Sequence, residues 1–159
     1  MKRFAARYVE LAQSHAQKMA ERWADDVQNN IKTSFYKKLD REKIIAKCIG
    51  FYHNFSLMFT DDKPSEQALE YFRTYARESY LMGIPMEQAV YALSLMRRHI
   101  WLYAEFQTIF STAIDQEQAV DTLSRTILVF DYAAYEITKE YEALIHKEKS
   151  GRDADEKVN

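Results

Sequence analysis

Glycine and proline are scarce in this chain, three and two in 159 residues. A sheet protein of this length needs a turn at each strand reversal, and so few turn formers argue against one. Cysteine is scarcer still. Cys48 alone excludes an intrachain disulfide and a multi-cysteine metal site. Neither sign of charge dominates, with 22 Lys plus Arg against 24 Asp plus Glu. That balance argues against broad electrostatic binding of nucleic acid. Uninterrupted apolar runs are only a few residues long, far from the roughly 20 that cross a bilayer. The start, Met1-Lys2-Arg3-Phe4, resembles a signal peptide, but Arg7, Glu10, Gln13 and His15 break up any apolar stretch behind it. The expectation is a cytoplasmic, single-domain protein over residues 1–149, with no membrane segment and a disordered charged tail over 150–159.

What the chain does contain is helix-forming residues at helical spacing. Phe4, Tyr8, Leu11, His15, Met19, Trp23 and Val27 make one stripe, with a bend conceivable near Ser14. Phe35, Tyr36 and Leu39 read as a linker packed on the core. Asp40 is a candidate N-cap for a helix running through Ile44, Cys48, Phe51, Phe55 and Phe59. Asp61-Asp62-Lys63-Pro64 ends that helix, and Pro64 fits the first turn of the next, over about 65–82. Gly83-Ile84-Pro85 is the clearest joint, glycine closing one helix and proline opening another. The helix from Pro85 to about Thr112 is apolar on two sides, one with Val90, Leu93, Ile100 and Ala104, the other with Tyr91, Leu95, Leu102 and Phe106. Asp115 and Gln118 match a capping box. Beyond it Val120, Leu123, Ile127, Phe130, Ala134, Ile137, Tyr141 and Leu144 alternate steps of three and four, the pattern of a coiled-coil seam or a long bundle helix. The predicted fold is all-α, about five to six helices ending in a long one.

Constellations for catalysis are missing. His15, His53, His99 and His146 fall in different predicted segments, and no pair of Glu-x-x-His motifs supports a di-iron centre. There is no His-Glu-x-x-His, no glycine loop for phosphate and no nucleophile elbow. The chain therefore reads as a non-enzyme without cofactor or metal. His53 or His99 is the candidate axial ligand if haem is bound, with a core or interfacial histidine the plainer account. Arg97 falls within the apolar stripe of its helix. Either it reaches solvent or pairs with a carboxylate such as Asp131, or it anchors an anionic ligand, with Arg73, Arg77 and His99 completing a polar cluster.

Three stretches carry a family resemblance: 21–27 (ERWADDV) with 33–39 (TSFYKKL), 80–90 (YLMGIPMEQAV) leading to Arg97, and 128–135 (LVFDYAAY) leading to Glu142. Together they resemble the N-terminal domain of the RsbT co-antagonist family, the RsbR/RsbRD type of bacterial stress-signalling proteins. The resemblance implies a globin-like helical fold without haem, paired as a homodimer, that senses or relays a signal to a downstream output module. The chain holds no such module, so it is expected to be a stand-alone relative or an excised sensor domain. Leu123, Ile127, Phe130, Ala134, Ile137 and Tyr141 are the candidate dimer or relay positions. The alternatives are a haem-binding globin-like sensor and a helical adaptor that binds a partner helix.

Overall fold

The computed structural model describes residues 3–59, 63–106 and 113–158, and among them the side chains of residues 5–59, 63–104 and 116–158. Every regular element among the described residues is helical. The order is α1 (Arg3–Ser14), α2 (Ala16–Asn29), a 3-10 helix (Ile31–Lys38), α3 (Arg41–His53), α4 (Phe55–Met58), α5 (Glu66–Leu81), α6 (Met86–Phe106) and α7 (Ala113–Val158).

Local chemistry places most of the boundaries. The bend at Ser14 is real, and α2 restarts at Ala16 with Ala16, Met19, Ala20, Trp23, Ala24 and Val27 buried along one face. Asn30 accepts from the amide of Lys32 at 3.0 Å and opens the 3-10 helix where a linker was expected. Thr33 is buried within it, its hydroxyl donating to the Val27 carbonyl at 2.7 Å. Asp40 caps α3 as predicted, accepting from Glu42 N at 3.0 Å. The predicted helix to Phe59 breaks at Asn54, whose backbone and side-chain amides both donate to the Gly50 carbonyl, at 3.2 and 2.7 Å. Pro64 lies ahead of the cap instead of in the first turn, because Ser65 takes the cap position and accepts from Ala68 N at 3.2 Å.

At the joint, Gly83 has φ of +82°, the left-handed region. Its amide donates to the Tyr80 carbonyl and that of Ile84 to the Ser79 carbonyl, a Schellman closure of α5. A Cβ at Gly83 would also sit 3.2 Å from the Phe35 ring, tight enough that the ring would have to give by a few tenths of an ångström. Residues 107–112, where the central helix was expected to finish, lie outside the described residues, as do Asp61 and Asp62. So does the side chain of Asp115; α7 already begins at Ala113.

α7 packs along α5 and against α6 and α1, while α2 packs on α3, the 3-10 helix and α6. The core between them is aromatic. Phe51 meets the rings of Tyr52, Tyr71, Phe72, Tyr75 and Phe130, and Tyr8 meets Phe55, Phe59 and Trp101. Two of the buried polar tips tie this core to α6: Trp23 Nε1 donates to the Ala92 carbonyl at 2.8 Å and the Tyr52 hydroxyl to that of Met96 at 2.8 Å.

Beyond Ser150, where a frayed tail was expected, α7 continues through Val158. Its residues there are mostly Ala, Asp, Glu, Lys and Arg, and Arg152 pairs with Glu148 one turn back.

Candidate functional site

α7 is 46 residues long and serves two sides of the molecule. Its inner face holds Thr122, Thr126, Val129, Phe130, Ala133, Ile137 and Tyr141, all buried. Its outer face presents Val120, Ile127, Leu128 and Tyr135, which are 71%, 40%, 45% and 64% exposed. The predicted heptad seam coincides with neither face. A strict seven-residue repeat drifts by about 20° per heptad on an α-helix that does not supercoil. The seam therefore starts outside at Val120 and Ile127 and ends inside at Ile137 and Tyr141, with Leu123, Ala134 and Leu144 half-buried.

The outer face is also dented. One depression of about 360 Å³ is lined by Leu128, Asp131, Tyr132 and Tyr135. A second, of about 280 Å³, is lined by Ser124, Arg125, Ile127, Leu128 and Asp131. Residues at i, i+3, i+4 and i+7, neighbours on one helix face, bound each of them.

α5 is tied to α7 by a ladder of charge. Arg73 Nε lies 3.3 Å from Glu136 Oε2, and its Nη1 reaches Glu66 at 2.8 Å and Glu70 at 3.1 Å. One turn on, Arg77 reaches Glu140 at 3.3 Å and Glu70 at 2.6 Å. The Tyr80 hydroxyl donates to Glu148. The partners advance together on both helices, so α5 and α7 run parallel. Glu136 is buried, and a buried carboxylate needs such a partner. Hydrogen bonds from Arg77 and then Arg73 hold the Glu70 carboxyl below its ordinary range.

This ladder redistributes the expected polar cluster. Arg73 and Arg77 belong to the α5–α7 seam, whereas Arg97 is half-buried on α6. Asp131, its expected carboxylate, is exposed on the outer face of α7, and among the described residues the buried carboxylate is Glu136. His99 joins α6 to α2 instead, with Nε2 2.9 Å from Asp26 Oδ2. His53 is exposed at the end of α3, where its carbonyl accepts from Gln13 Nε2 at 3.1 Å. The two candidate haem ligands thus occupy separate places. Aromatic rings in mutual contact fill the core between α1, α3, α4 and α7.

Sequence reasoning missed a further group. Lys47 falls on the same side of α3 as Ile44 and Phe51, and that lysine in an apolar stripe was the available signal. Its side chain is 9% exposed; Nζ donates to the Tyr75 carbonyl at 2.9 Å, pairs with Glu78 at 3.1 Å and lies 3.8 Å from the centre of the Tyr75 ring. It lines a cleft of about 230 Å³ with Asn54, Tyr71, Thr74 and Glu78. Burial pushes the ammonium down to about 8, against the opposing pull of Glu78. An unfolded lysine holds its proton to about 10.4, so between pH 8 and 10 the unfolded lysine binds more proton than the folded one and the Lys47 contribution to stability rises with pH. From pH 8 to 9.5 this contribution is expected to be about 1–2 kcal/mol, opposed in the same window by the buried Cys48 thiol, which burial pushes up. Urea titrations at the two pH values check it: the wild-type protein should gain on Lys47→Met by that amount between them, and an equal change in both proteins would show that Lys47 contributes nothing.

Among the described residues, no group of three or more His, Cys, Asp or Glu is placed to hold a metal ion. No described helix is long and apolar enough to cross a membrane. Compared with known proteins, the chain matches no family model, no curated protein and no solved structure.

Proposed function

We propose that this chain is a non-catalytic sensory or signal-relay domain that works as a homodimer in the cytoplasm, globin-like and without haem, of the kind that serves bacterial stress signalling. The observation that carries the reading is the double service of α7. One helix walls the core with Phe130, Ile137 and Tyr141 while offering Ile127, Leu128 and Tyr135 to another surface. A change of packing inside the subunit therefore reaches the outer face without passing through a loop. The α5–α7 ladder suits such a shift, because Glu70 is shared by Arg73 and Arg77, and each arginine has a second acid on α7. Exchange of these partners would supply the two-state element that any relay requires. The ring-filled core favours the reading without haem. The RsbT co-antagonist resemblance supplies the stress-signalling context and the downstream output module as the partner.

Sedimentation at micromolar concentration tests the homodimer. A species of twice the 18.8 kDa chain mass is expected, and a single 18.8 kDa species would overturn it. The exposed stripe equally favours a helical adaptor; that reading gains if the chain sediments as a monomer yet binds an amphipathic partner helix.

A further inference from the structure

The exposed stripe of α7 reads the same in both directions. Its large apolar residues, Val120, Ile127, Leu128 and Tyr135, are separated by steps of seven, one and seven. The polar residues within it, Ser124 and Asp131, obey the same symmetry about a point between 127 and 128. A twofold dimer interface is isologous, the same patch on both copies. A palindromic stripe satisfies that condition when two such helices lie antiparallel.

We infer that the outer face of α7 docks on a second copy of this chain, antiparallel, about a twofold axis passing between Ile127 and Leu128. The inference rests on the homodimer reading above and adds the surface and its direction. In this arrangement Ile127 faces Leu128 of the partner subunit, and Val120 faces the partner's Tyr135. Ser124, a hydroxyl donor, faces the partner's Asp131. Near the ends, the exposed Glu117 comes within one residue of the partner's Lys139, also exposed. The parallel alternative sets each of these residues against itself. Asp131 would then meet the partner's Asp131, Glu117 the partner's Glu117 and Lys139 the partner's Lys139, three repulsions in place of complementary contacts. Both depressions on this face have Leu128 and Asp131 on their rims, which puts the holes beside the axis.

Spin labels placed singly at Val120→Cys, Ile127→Cys and Tyr135→Cys read the geometry of the full chain. Cys48 is completely buried and does not compete for label under native conditions. At 1.5 Å rise per residue and 8–10 Å between axes, the antiparallel pair puts like backbone positions at 120 and at 135 about 24 Å apart, and those at 127 about 10 Å. Three similar short separations would overturn the direction and leave the homodimer standing. A dimer with no short separation at 127 would overturn the surface itself. A monomeric mass would remove the inference and the dimer reading together. Exposed charge gives a second route that leaves the core untouched. Glu117→Lys and Lys139→Glu should each weaken dimerisation by about three- to tenfold, and the double variant should restore it. If the double variant is weaker than either single one, the antiparallel contact is wrong.

Discussion

Raising the pH from 9.5 to 11 is expected to unfold this protein cooperatively. Tyr8, Tyr36, Tyr52, Tyr75 and Tyr141 are each no more than 3% exposed, and burial is the main cause pushing their hydroxyls above the ordinary tyrosine range. Two of them donate to backbone carbonyls, Tyr52 to Met96 and Tyr141 to Ile84, so ionisation would press a phenolate oxygen against another oxygen. In the unfolded chain these hydroxyls titrate near 10. Above that pH the folded state holds protons that the unfolded state has lost, and stability falls. Each tyrosine forfeits on the order of 1 kcal/mol by pH 11, so the five together forfeit several kcal/mol, against a usual total of about 5–15. The buried Cys48 thiol, raised by the same cause, acts in the same direction. Lys47 still adds about 1 kcal/mol between pH 9.5 and 11, because the unfolded lysine holds its proton to about 10.4, and this gain loses to the tyrosines. Helical circular dichroism and phenolate absorbance should therefore change together. Ionisation of all eleven tyrosines with the helical signal intact would show that these rings are not sealed from water.

Phe51→Ala should have the largest effect of any single truncation. The ring is fully buried and contacts five others from α3, α5 and α7. Removing it deletes apolar burial and leaves a cavity whose walls are themselves rigid rings, a loss of about 3–5 kcal/mol. On α7 the contrast between faces gives a control. Val120→Ala should alter the stability of the isolated subunit by less than about 0.5 kcal/mol, since its side chain meets solvent. Urea denaturation at pH 7 compares the two. A Phe51→Ala loss below about 1.5 kcal/mol would mean that the core collapses around the vacancy.

Where a single residue type dictates the geometry, the fold was legible from the chain. Gly83 closes α5 because the left-handed conformation there suits glycine, and Asp40 caps α3 because its carboxylate reaches an unpaired amide. The apolar stripe of α2 was equally plain. What escaped depends on competition. Asn54 stops a helix that periodicity would continue, its side-chain amide sharing the Gly50 carbonyl with its own backbone amide. The faces of α7 escaped because steps of three and four fit a seven-residue repeat nearly as well as a 3.6-residue one. The difference accumulates only over several turns. Arg97 drew notice by sitting in an apolar stripe, yet the buried carboxylate chose Arg73, a pairing between residues 63 apart. No local pattern reports such a choice. Lys47 carried the same signal as Arg97, and its side chain is 9% exposed.

Tyr80 holds α7 at Glu148, and every residue from Lys149 to Val158 is exposed. That stretch is about 15 Å of helix clamped only at its base. A tilt of about 5° where Arg77 grips Glu140 would sweep its tip through roughly 2 Å. Under the proposed relay, leverage of this sort would turn a small displacement in the subunit into one large enough for a neighbouring molecule to register.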